Sequence, residues 1–375
     1  MTQVGLELPA LMALNRRMQT MKYIHDWAAQ YYGNSKFDLA SSGVPGSPGP
    51  FPPIFDSTPR GNWNGGEAVE EARKRVAAMH GADPKCVTLT FGGSGAIFMS
   101  AFVLARTAHA MVVESPYYEP LWRVFEAMGS EIRFFKRPRE NNYSFKGLYD
   151  GAKKLTKGAS CIMMTNPNNP TGLYDDHETI RELAKAIAPS WLVINEIYRP
   201  MHTTVKTAYG VADNVIILGS TTKSYGIGIP RFGWVIAPES ITNKFRIAEN
   251  YIVGGFSGAV AAVMIPALDN LDKIFEDAHA HIKGRHDRVD NAIKNHKRLS
   301  WIRPPGRVIL GLVHLDGVKD DLKFALALLE KHGAVTGPGC LFGVPGTLRL
   351  GIGAYPEKFD EGFERFLEFA EDYQE

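Results

Sequence analysis

The sequence predicts an α/β protein, in which a large domain holds a mainly parallel sheet sandwiched by helices and a smaller domain is α+β. From about residue 87, short β-rich runs alternate with amphipathic segments, which is typical of a parallel sheet covered by helices. Several runs are almost continuously apolar, as expected for strands that are buried on both faces. Beyond residue 271 this alternation gives way to a long charged helix and a mixed set of strands and helices.

The large domain is predicted to contain a series of strands separated by helices. The strands are Val87–Phe91, Met111–Glu114, Ile132–Phe135, Cys161–Thr165, Leu192–Asn195, Val215–Leu218 and Gly233–Ile236. One of the intervening helices is marked by Ile180, Leu183, Ala184 and Ile187, which recur at the spacing of a single helix face.

The C-terminal part is predicted to begin with one long charged helix, Leu271–His296. Its apolar stripe consists of Ile274, Ile282, Val289 and Ile293. Its histidines are expected on a solvated face, because no pair has the i, i+4 spacing of an HExxH metal site. These histidines are His279, His281, His286 and His296.

The rest of the small domain is predicted as two strands and two helices. The strands are Val308–Leu315 and Leu348–Ile352, and the helices are Asp320–His332 and Lys358–Tyr373. The last helix places several apolar side chains on one face, which predicts a contact with the core. These side chains are Phe359, Phe363, Phe366 and Leu367.

The length of 375 residues suggests two domains, at roughly one domain per 150 residues. We expect residues 46–270 to form the large domain, and residues 1–45 together with 271–375 to form the small one. Proline and glycine crowd the stretch Val44–Pro59, where the chain would cross between the domains.

The composition is that of a globular protein, with 45% hydrophobic and 22% charged residues. A formal net charge of +2 argues against a dedicated nucleic-acid surface or a polybasic membrane surface. The N-terminal arginines follow the apolar residues, so a signal peptide is not expected. The longest apolar stretch, Ala259–Leu268, is too short to span a bilayer.

The three cysteines, Cys86, Cys161 and Cys340, are isolated and form no CxxC pair, so no zinc or redox site is expected from them. Cys86 and Cys161 border apolar runs and are predicted to be buried. A small odd number of cysteines is typical of a reducing compartment, so a cytoplasmic protein without a metal site is expected.

The first motif, Thr90–Ile97, is a glycine-rich turn between a strand and a helix. Such a turn offers free backbone N–H groups and the positive end of the helix dipole to an anion, usually a phosphate. It is also one residue from GxSxG, so a hydrolase with Ser94 as nucleophile is an alternative. A hydrolase needs a late histidine, for which His314 and His332 are the candidates.

The second motif is the loop Asn166–Gly172, with the sequence NPNNPTG, directly after the strand ending at Thr165. Its two prolines and three asparagines predict a rigid loop whose amides can donate to an oxygen of a ligand. A hydrolase has no need for such a loop.

The third motif is Gly219–Ser224, with Lys223 in a hydroxyl-rich turn at a strand end and Arg231 further on. A lysine there can form a Schiff base, and the neighbouring hydroxyls and the arginine can hold a phosphate.

Together the three motifs resemble the fold-type I, class I/II aminotransferases, which use pyridoxal 5′-phosphate (PLP). The resemblance extends from about Leu39 to Gly353. It implies a PLP-transferase fold of type I, amino-acid and 2-oxo-acid substrates and a homodimer.

The resemblance implies roles for individual residues around PLP. Lys223 would bind the cofactor as a Schiff base and later carry the proton. Asn169 and Tyr198 would hold the phenolate oxygen, and Tyr118 would stack on the pyridine ring. The phosphate would be held by Gly93, Ser94, Ser220, Thr222 and Arg231.

On the substrate side, the resemblance implies that Arg349 takes the α-carboxylate in a bidentate fork and that Gly43 closes the site. A second arginine for a side-chain carboxylate is not identified. Trp63 stands where the family often places a tyrosine that reaches the partner's phosphate, and this contact is left unassigned.

Asn195 departs from the family pattern, which has aspartate at the pyridine nitrogen. A carboxylate would raise the pKa of the ring nitrogen and keep it protonated, and asparagine cannot supply that charge. Glu196 is a poor substitute, because successive strand side chains point to opposite faces.

The leading hypothesis is therefore a PLP-dependent aminotransferase. The alternative on the same fold is a PLP-dependent lyase, cyclase or decarboxylase-like enzyme, which Asn195 motivates because a fold does not determine a reaction. A further alternative is a PLP-binding regulator that has kept the fold and lost turnover.

Overall fold

The computed structural model describes residues 21–45, 65–202 and 205–375. Within these ranges the strands form a seven-stranded sheet, a four-stranded sheet and a two-stranded sheet. The position of Trp63 lies outside the described residues.

The seven-stranded sheet forms the centre of the large α/β unit, with the spatial order β2-β8-β7-β6-β5-β3-β4. Its strands are β2 (Val87–Phe91), β3 (Ala110–Ser115), β4 (Glu131–Lys136), β5 (Ala159–Thr165), β6 (Trp191–Asn195), β7 (Val215–Ser220) and β8 (Phe232–Ile236). Strand β8 runs antiparallel to both of its neighbours, β2 and β7, and the other pairs of the sheet are parallel. The predicted mainly parallel sheet is confirmed, and each predicted strand is present with its ends shifted by at most two residues.

Helices cover both faces of this sheet. They are α2 (Gly65–His80), α3 (Gly92–Leu104), α4 (Pro120–Ala127), α5 (Tyr149–Leu155), α6 (His177–Ile187), α7 (Thr222–Tyr225), α8 (Glu239–Val253) and α9 (Gly258–Leu268). In β5, Ile162 and Met164 belong to one buried cluster, while Cys161 and Met163 belong to the cluster on the other face. Burial on both faces explains why the run is apolar without alternation.

The two smaller sheets lie in the remaining part of the described chain. Strand β1 (Phe37–Asp38) pairs in parallel with β11 (Ala334–Val335). The four-stranded sheet is antiparallel, in the order β12-β13-β10-β9. Its strands are β9 (Leu299–Trp301), β10 (Leu310–Leu315), β12 (Gly337–Pro338) and β13 (Thr347–Gly351).

The helices outside the large sheet begin with a π-helix, Lys22–Ala28, which continues as α1 (Ala29–Tyr31). The C-terminal helices are α10 (Leu271–His279), α11 (Arg285–Asn295), α12 (Asp321–His332) and α13 (Pro356–Asp372). On α13, the predicted core face is confirmed, because Phe359, Phe363 and Phe366 are fully buried.

The prediction of one long helix over Leu271–His296 is wrong. The chain forms α10, a 3₁₀ turn at Ala280–Ile282, and α11. The break lies at Gly284, whose φ of +78° is left-handed and cannot belong to a right-handed helix. The apolar periodicity continues on both sides because Ile282, Val289 and Ile293 are all buried against the same core.

The prediction that the histidines of this region lie on a solvated face is also wrong. His279 is buried, and its Nε2 lies 2.9 Å from the carbonyl oxygen of Ser224. The other three also lie within hydrogen-bond distance of backbone carbonyls from other elements. Burial lowers the pKa of His279 to about 4, so the ring is neutral and one ring N–H donates to the carbonyl.

In the described ranges, none of the helices has the length and apolarity needed to cross a bilayer. Likewise, the side chains described there contain no group of three or more His, Cys, Asp or Glu arranged to hold a metal ion.

Candidate active site

A cavity of about 190 Å³ lies at the carboxyl ends of β5, β6 and β7, where the loops that follow neighbouring parallel strands meet. Each of the three motifs contributes to its lining, together with residues from other loops and strand ends. The lining residues are Gly93, Ser94, Ile97, Tyr118, Thr165, Asn169, Asn195, Ile197, Tyr198, Thr222, Lys223 and Arg231. Residues predicted to contact PLP are therefore brought to one place, and Ile97, Thr165 and Ile197 line the cavity without having been predicted.

Three predicted site residues lie beside this cavity rather than on its wall. Ser220 is buried behind Thr222, with 2.9 Å between the two hydroxyl oxygens. Gly43 adjoins Lys223, since a Cβ added at Gly43 would lie 3.3 Å from the lysine Cδ. Arg349 is buried on the other side of Asn169.

One end of the cavity is formed by the start of α3 together with Arg231. Gly92, the first residue of α3, has φ +70°, and a Cβ there would lie 3.0 Å from the Arg231 guanidinium. The missing side chain lets the guanidinium lie across the start of the helix, next to the free N–H groups. Helix N–H groups and an arginine fork together suit a phosphate.

Lys223 brings a primary amine to the cavity. Burial, and after it the positive charges of Arg349 and Arg231, lower the pKa of the lysine ammonium to about 8. Each of these effects disfavours the charged form. A lysine whose pKa is lowered in this way carries a larger fraction of neutral amine at physiological pH, which is the form that attacks a carbonyl.

Asn169 and Tyr198 face each other, with 3.5 Å between the asparagine Nδ2 and the tyrosine hydroxyl. The Asn169 backbone N–H donates to the Thr165 hydroxyl at 3.0 Å, and the Asn168 side chain accepts from the backbone N–H of Thr171 at 3.1 Å. The bonds within the loop hold Asn169 in place beside Tyr198, so that the asparagine amide and the phenol can both contact one oxygen of a ligand.

A buried network of charged side chains supports the Asn166–Gly172 loop through Thr165, the last residue of β5. Glu114 accepts from the Thr165 hydroxyl at 2.7 Å and from Arg137 at 2.8 Å. Arg137 also pairs with Asp175. The network was not predicted, because the side chains that form it are far apart in sequence and no local pattern marks them.

Asn195 lies at the end of β6 with its Oδ1 accepting the backbone N–H of Ile197 at 3.2 Å. Glu196 is held elsewhere, by the backbone N–H of Ala208 at 2.6 Å and by Arg199 at 3.0 Å. Among the described residues that line the cavity, none is an aspartate or a glutamate. The prediction that Glu196 does not replace the missing carboxylate agrees with this arrangement.

Arg349, in β13, is 1% exposed and is surrounded by neutral acceptors. Its Nη1 donates to Asn169 Oδ1 at 3.0 Å, and its Nη2 donates to the carbonyl oxygen of Ala40 at 2.7 Å. The hydroxyls of Tyr23 and Tyr32 also accept from Nη2. Both tyrosines come from the N-terminal segment and were not predicted as site residues.

The arrangement of a serine hydrolase is not formed by the described residues. His314 lies 2.8 Å from the Tyr143 hydroxyl, and neither His314 nor His332 lines the cavity with Ser94. Ser94 therefore has no histidine partner among the residues that line the cavity.

These residues fit PLP. The cofactor is a small, flat molecule with a phosphate, an aldehyde, a phenolate oxygen and a ring nitrogen. The cavity offers the α3 start with Arg231, the Lys223 amine, the pair Asn169 and Tyr198, and the Asn195 side chain, each suited to one of these groups.

Comparison with known proteins agrees with this chemistry. The sequence model of the family described as aminotransferase class I and II matches residues 56–366. Capreomycidine synthase of Streptomyces vinaceus is 24% identical over 370 residues, which are 92% of this chain and 92% of that protein.

Solved structures show the same fold. A PLP-dependent aminotransferase from Streptococcus suis superposes with a TM-score of 0.85 at 22% identity, over 96% of this chain and 99% of that chain. The PLP-dependent cyclase OrfR superposes with a TM-score of 0.78 at 24% identity, over 95% of this chain and 99% of that chain.

Because the family match spans most of the sequence and the cavity provides the groups that PLP requires, the chain belongs to the aminotransferase class I and II family and is a PLP-dependent enzyme of the transaminase type.

Proposed function

We propose that the protein transfers the amino group of an α-amino acid to a 2-oxo acid, with Lys223 as the covalent partner of PLP and the carrier of the proton. The observation that supports this most directly is the single cavity in which Lys223, Asn169, Tyr198 and Arg231 meet. Each of these residues supplies a different group that the reaction requires.

Bound PLP supplies an aldehyde for covalent attachment and a pyridine ring that takes up electron density from the reacting carbon. Lys223 Nζ acts as nucleophile and then as base. With its pKa lowered to about 8, roughly a quarter of the lysine is neutral near pH 7.5, against about one part in a thousand at the usual pKa. The lowered pKa therefore suits both roles.

The other side chains of the cavity would hold the cofactor and set its orientation. Gly93, Ser94, Thr222 and Arg231 would bind the phosphate, with Ser220 supporting Thr222 from behind. Asn169 and Tyr198 would hold the phenolate oxygen, Tyr118 would cover the ring, and Asn195 would face the ring nitrogen.

Arg349 would bind the α-carboxylate of the amino acid, so that the bond to be broken lies perpendicular to the ring. A second cavity of about 520 Å³ adjoins Lys223 and is lined by Tyr32, Asp38 and Gly43 among others. This cavity would receive the amino-acid side chain, and Gly43 would close it against Lys223.

We also propose a cytoplasmic homodimer. Three large apolar side chains are unusually exposed, namely Phe98 at 43%, Ile229 at 93% and Tyr251 at 78%, and the Tyr251 ring contacts Phe102, one helical turn from Phe98. Apolar exposure of this kind marks interaction surfaces, and Ile229 is close in sequence to Arg231 of the cavity. The isolated cysteines Cys86, Cys161 and Cys340 are free thiols, in keeping with a reducing compartment.

A PLP-dependent lyase, cyclase or decarboxylase-like activity is the second candidate. Asn195 favours it, because it leaves the ring nitrogen without a carboxylate and so weakens the electron sink that transamination uses. The similarity in fold to the cyclase OrfR is consistent with either activity.

The test is the absorbance of the purified protein. The wild type should be yellow or should become yellow with added PLP, and Lys223→Ala should lose both this absorbance and turnover. Lys185→Ala, which removes a lysine from an exposed position on α6, should keep both. A colourless wild type that binds no added PLP would overturn the proposal.

Incubation with amino acids separates the two activities. Transamination converts the cofactor to its amine form and stops until a 2-oxo acid is added. Steady product formation without any acceptor would favour the lyase or cyclase. Binding of PLP without a half-reaction on any amino acid would indicate a regulator.

A further inference from the structure

Arg349 is a buried cation whose hydrogen-bond partners among the described residues are all neutral. Its guanidinium donates to Asn169 Oδ1 and to the Ala40 carbonyl, and its Nε has no hydrogen-bond partner among the described residues. No carboxylate of the described residues lies within ion-pair distance of it. An unpaired buried charge is costly to maintain, and an incoming anion would offset that cost.

Two tyrosine hydroxyls lie at the same edge of this guanidinium. Tyr23 and Tyr32 both accept from Nη2, and their hydroxyls contact each other. The Tyr32 hydroxyl donates in turn to the Ala40 carbonyl at 3.1 Å. The Tyr23 ring lies against the guanidinium, with its centroid 4.7 Å from Arg349 Cζ. The cation thus faces a short chain of two phenols.

The segment that carries these tyrosines is held in place from both sides. The Tyr23 backbone N–H donates to the buried Glu119 at 2.9 Å, and the Trp27 indole N–H donates to the Thr336 carbonyl at 2.8 Å. Glu119 is itself paired with Arg123 at 2.9 Å. Tyr23 is therefore positioned by the large α/β unit and by the strand region near β12, and not only by its own helix.

We propose that Tyr23 and Tyr32 complete the α-carboxylate site of Arg349. This inference rests on the proposed function, in which Arg349 binds that carboxylate. One carboxylate oxygen would take the Nη2 hydrogen that Tyr23 accepts in the structure. The Tyr23 side chain then needs only a small rotation for its O–H to donate to the same carboxylate, with Tyr32 supporting it from behind.

The charges agree with this assignment. Burial raises the pKa of the Tyr32 hydroxyl to about 12 and the pKa of Tyr23 well above its usual value, so both phenols keep their protons at neutral pH. A protonated phenol can donate to a carboxylate but gains much less from a neutral amide or ester. Hydrogen bonds to an ionised acceptor are about twice as strong as neutral ones. The tyrosine pair therefore selects for a free carboxylate.

The experiment compares two reagents that react with the lysine-bound cofactor through the same aminooxy group and release the Lys223 amine. Aminooxyacetate carries a carboxylate and methoxyamine does not, so the ratio of their second-order rate constants measures carboxylate recognition alone. The reaction is followed by the change in cofactor absorbance. We compare the holoenzyme of the wild type with the variants Tyr23→Phe, Tyr32→Phe and Tyr31→Phe.

Tyr23→Phe should lower the ratio by roughly 10- to 100-fold and Tyr32→Phe by a few-fold, as expected for one charge-assisted hydrogen bond and one supporting bond. Tyr31→Phe is the matched control and should leave the ratio unchanged, because Tyr31 lies on the same segment with its ring packed on Trp27 at 4.7 Å. The methoxyamine rate reports in each variant whether the site is still formed.

An unchanged ratio in Tyr23→Phe, with a normal methoxyamine rate, overturns the inference and leaves the proposed function standing. A higher ratio also overturns it, because Tyr23 would then obstruct the carboxylate instead of binding it. If neither reagent changes the wild-type spectrum, the proposed function itself fails, and the inference fails with it.

Discussion

Arg349 Nη1 lies 3.0 Å from Asn169 Oδ1, although the two residues are 180 positions apart. The bond joins β13 of the four-stranded sheet to the loop that follows β5 of the large sheet. Arg349, proposed to bind the substrate, is thus hydrogen-bonded directly to Asn169, proposed to bind the cofactor. A shift of either sheet would be transmitted to both partners, so the relative position of substrate and cofactor depends on this contact.

Arg349→Lys should lose most amino-acid recognition while keeping the charge. Lysine cannot form the planar two-point contact of a guanidinium, so the substitution is not conservative at such a site. We expect kcat/KM for the best amino donor in a panel to fall by roughly 100-fold or more, which corresponds to about 3 kcal/mol of binding lost. The control is Arg365→Lys on the exposed side of α13, which should stay within two-fold of the wild type. A small effect at Arg349 would place the carboxylate elsewhere.

The pH dependence of PLP uptake should follow the lowered pKa of Lys223. The neutral amine is the reactive form, so the rate at which the apoenzyme takes up PLP should rise with pH through a midpoint near pH 8 and level off roughly one pH unit higher. Arg349→Met removes a neighbouring cation that disfavours the ammonium form. The pKa should therefore rise, and the midpoint of the profile should move to higher pH. Stopped-flow absorbance gives both profiles, and a midpoint that is unchanged in Arg349→Met would contradict the assigned cause.

The strands of the large sheet could be predicted because burial on both faces leaves a continuous apolar run, as in Ala159–Thr165. The helix break at Gly284 could not, because the apolar periodicity is the same on both sides of it and only the φ of +78° reveals the turn. The histidines were misplaced for a similar reason. Their carbonyl partners, such as Ser224 for His279, lie on other elements.

The cavity was predictable in part. Lys223 and the loop around Asn169 follow strand ends, and parallel strands bring their carboxyl ends together. Tyr23 was not predictable, because its contact with Arg349 spans 326 positions and the segment around it carries no motif. The same holds for the ion network of Glu114, whose members are charged residues with no local signal for burial.

Glu114→Gln should destabilise the fold and disturb Asn169. The substitution removes the charge that pairs with Arg137 and weakens the support for Thr165, which in turn accepts from the Asn169 N–H. Breaking a buried pair at one partner costs about 3 kcal/mol, to be read from urea unfolding. Glu126→Gln, which breaks a pair on the surface of α4, should cost less than about 1 kcal/mol. Equal losses in the two variants would show that the network has no special role.

Gly43→Ala should slow the reaction without unfolding the protein. The added methyl group would lie 3.3 Å from Lys223 Cδ, closer than ordinary contact, so the lysine side chain would have to shift. We expect PLP still to bind and the rate of the half-reaction with an amino acid to fall by roughly 10-fold, since small misplacements of a reacting group are costly. Gly151→Ala on α5, where the added Cβ would make only an ordinary contact at 3.5 Å from the Phe135 ring, should leave the rate unchanged. A full rate in Gly43→Ala would mean that Lys223 has more freedom than its surroundings indicate.

Asn195→Asp should change the protonation of the cofactor's ring nitrogen. In the wild type, Oδ1 of Asn195 accepts the Ile197 N–H at 3.2 Å, so the amide Nδ2 is the group left to face the cavity, and it can only donate. A donor favours an unprotonated ring nitrogen, whereas an aspartate charge at the same place would raise the pKa of that nitrogen and protonate it. The ¹⁵N chemical shift of labelled PLP in the holoenzyme reports this directly. The chemical shift should move toward the protonated value in Asn195→Asp, and the transamination half-reaction should become faster.

Asn291→Asp introduces the same charge at an exposed position of α11 and should leave the shift unaltered. A wild-type shift already at the protonated value would show that another group supplies the proton, and the argument from Asn195 for a weakened electron sink would then be wrong.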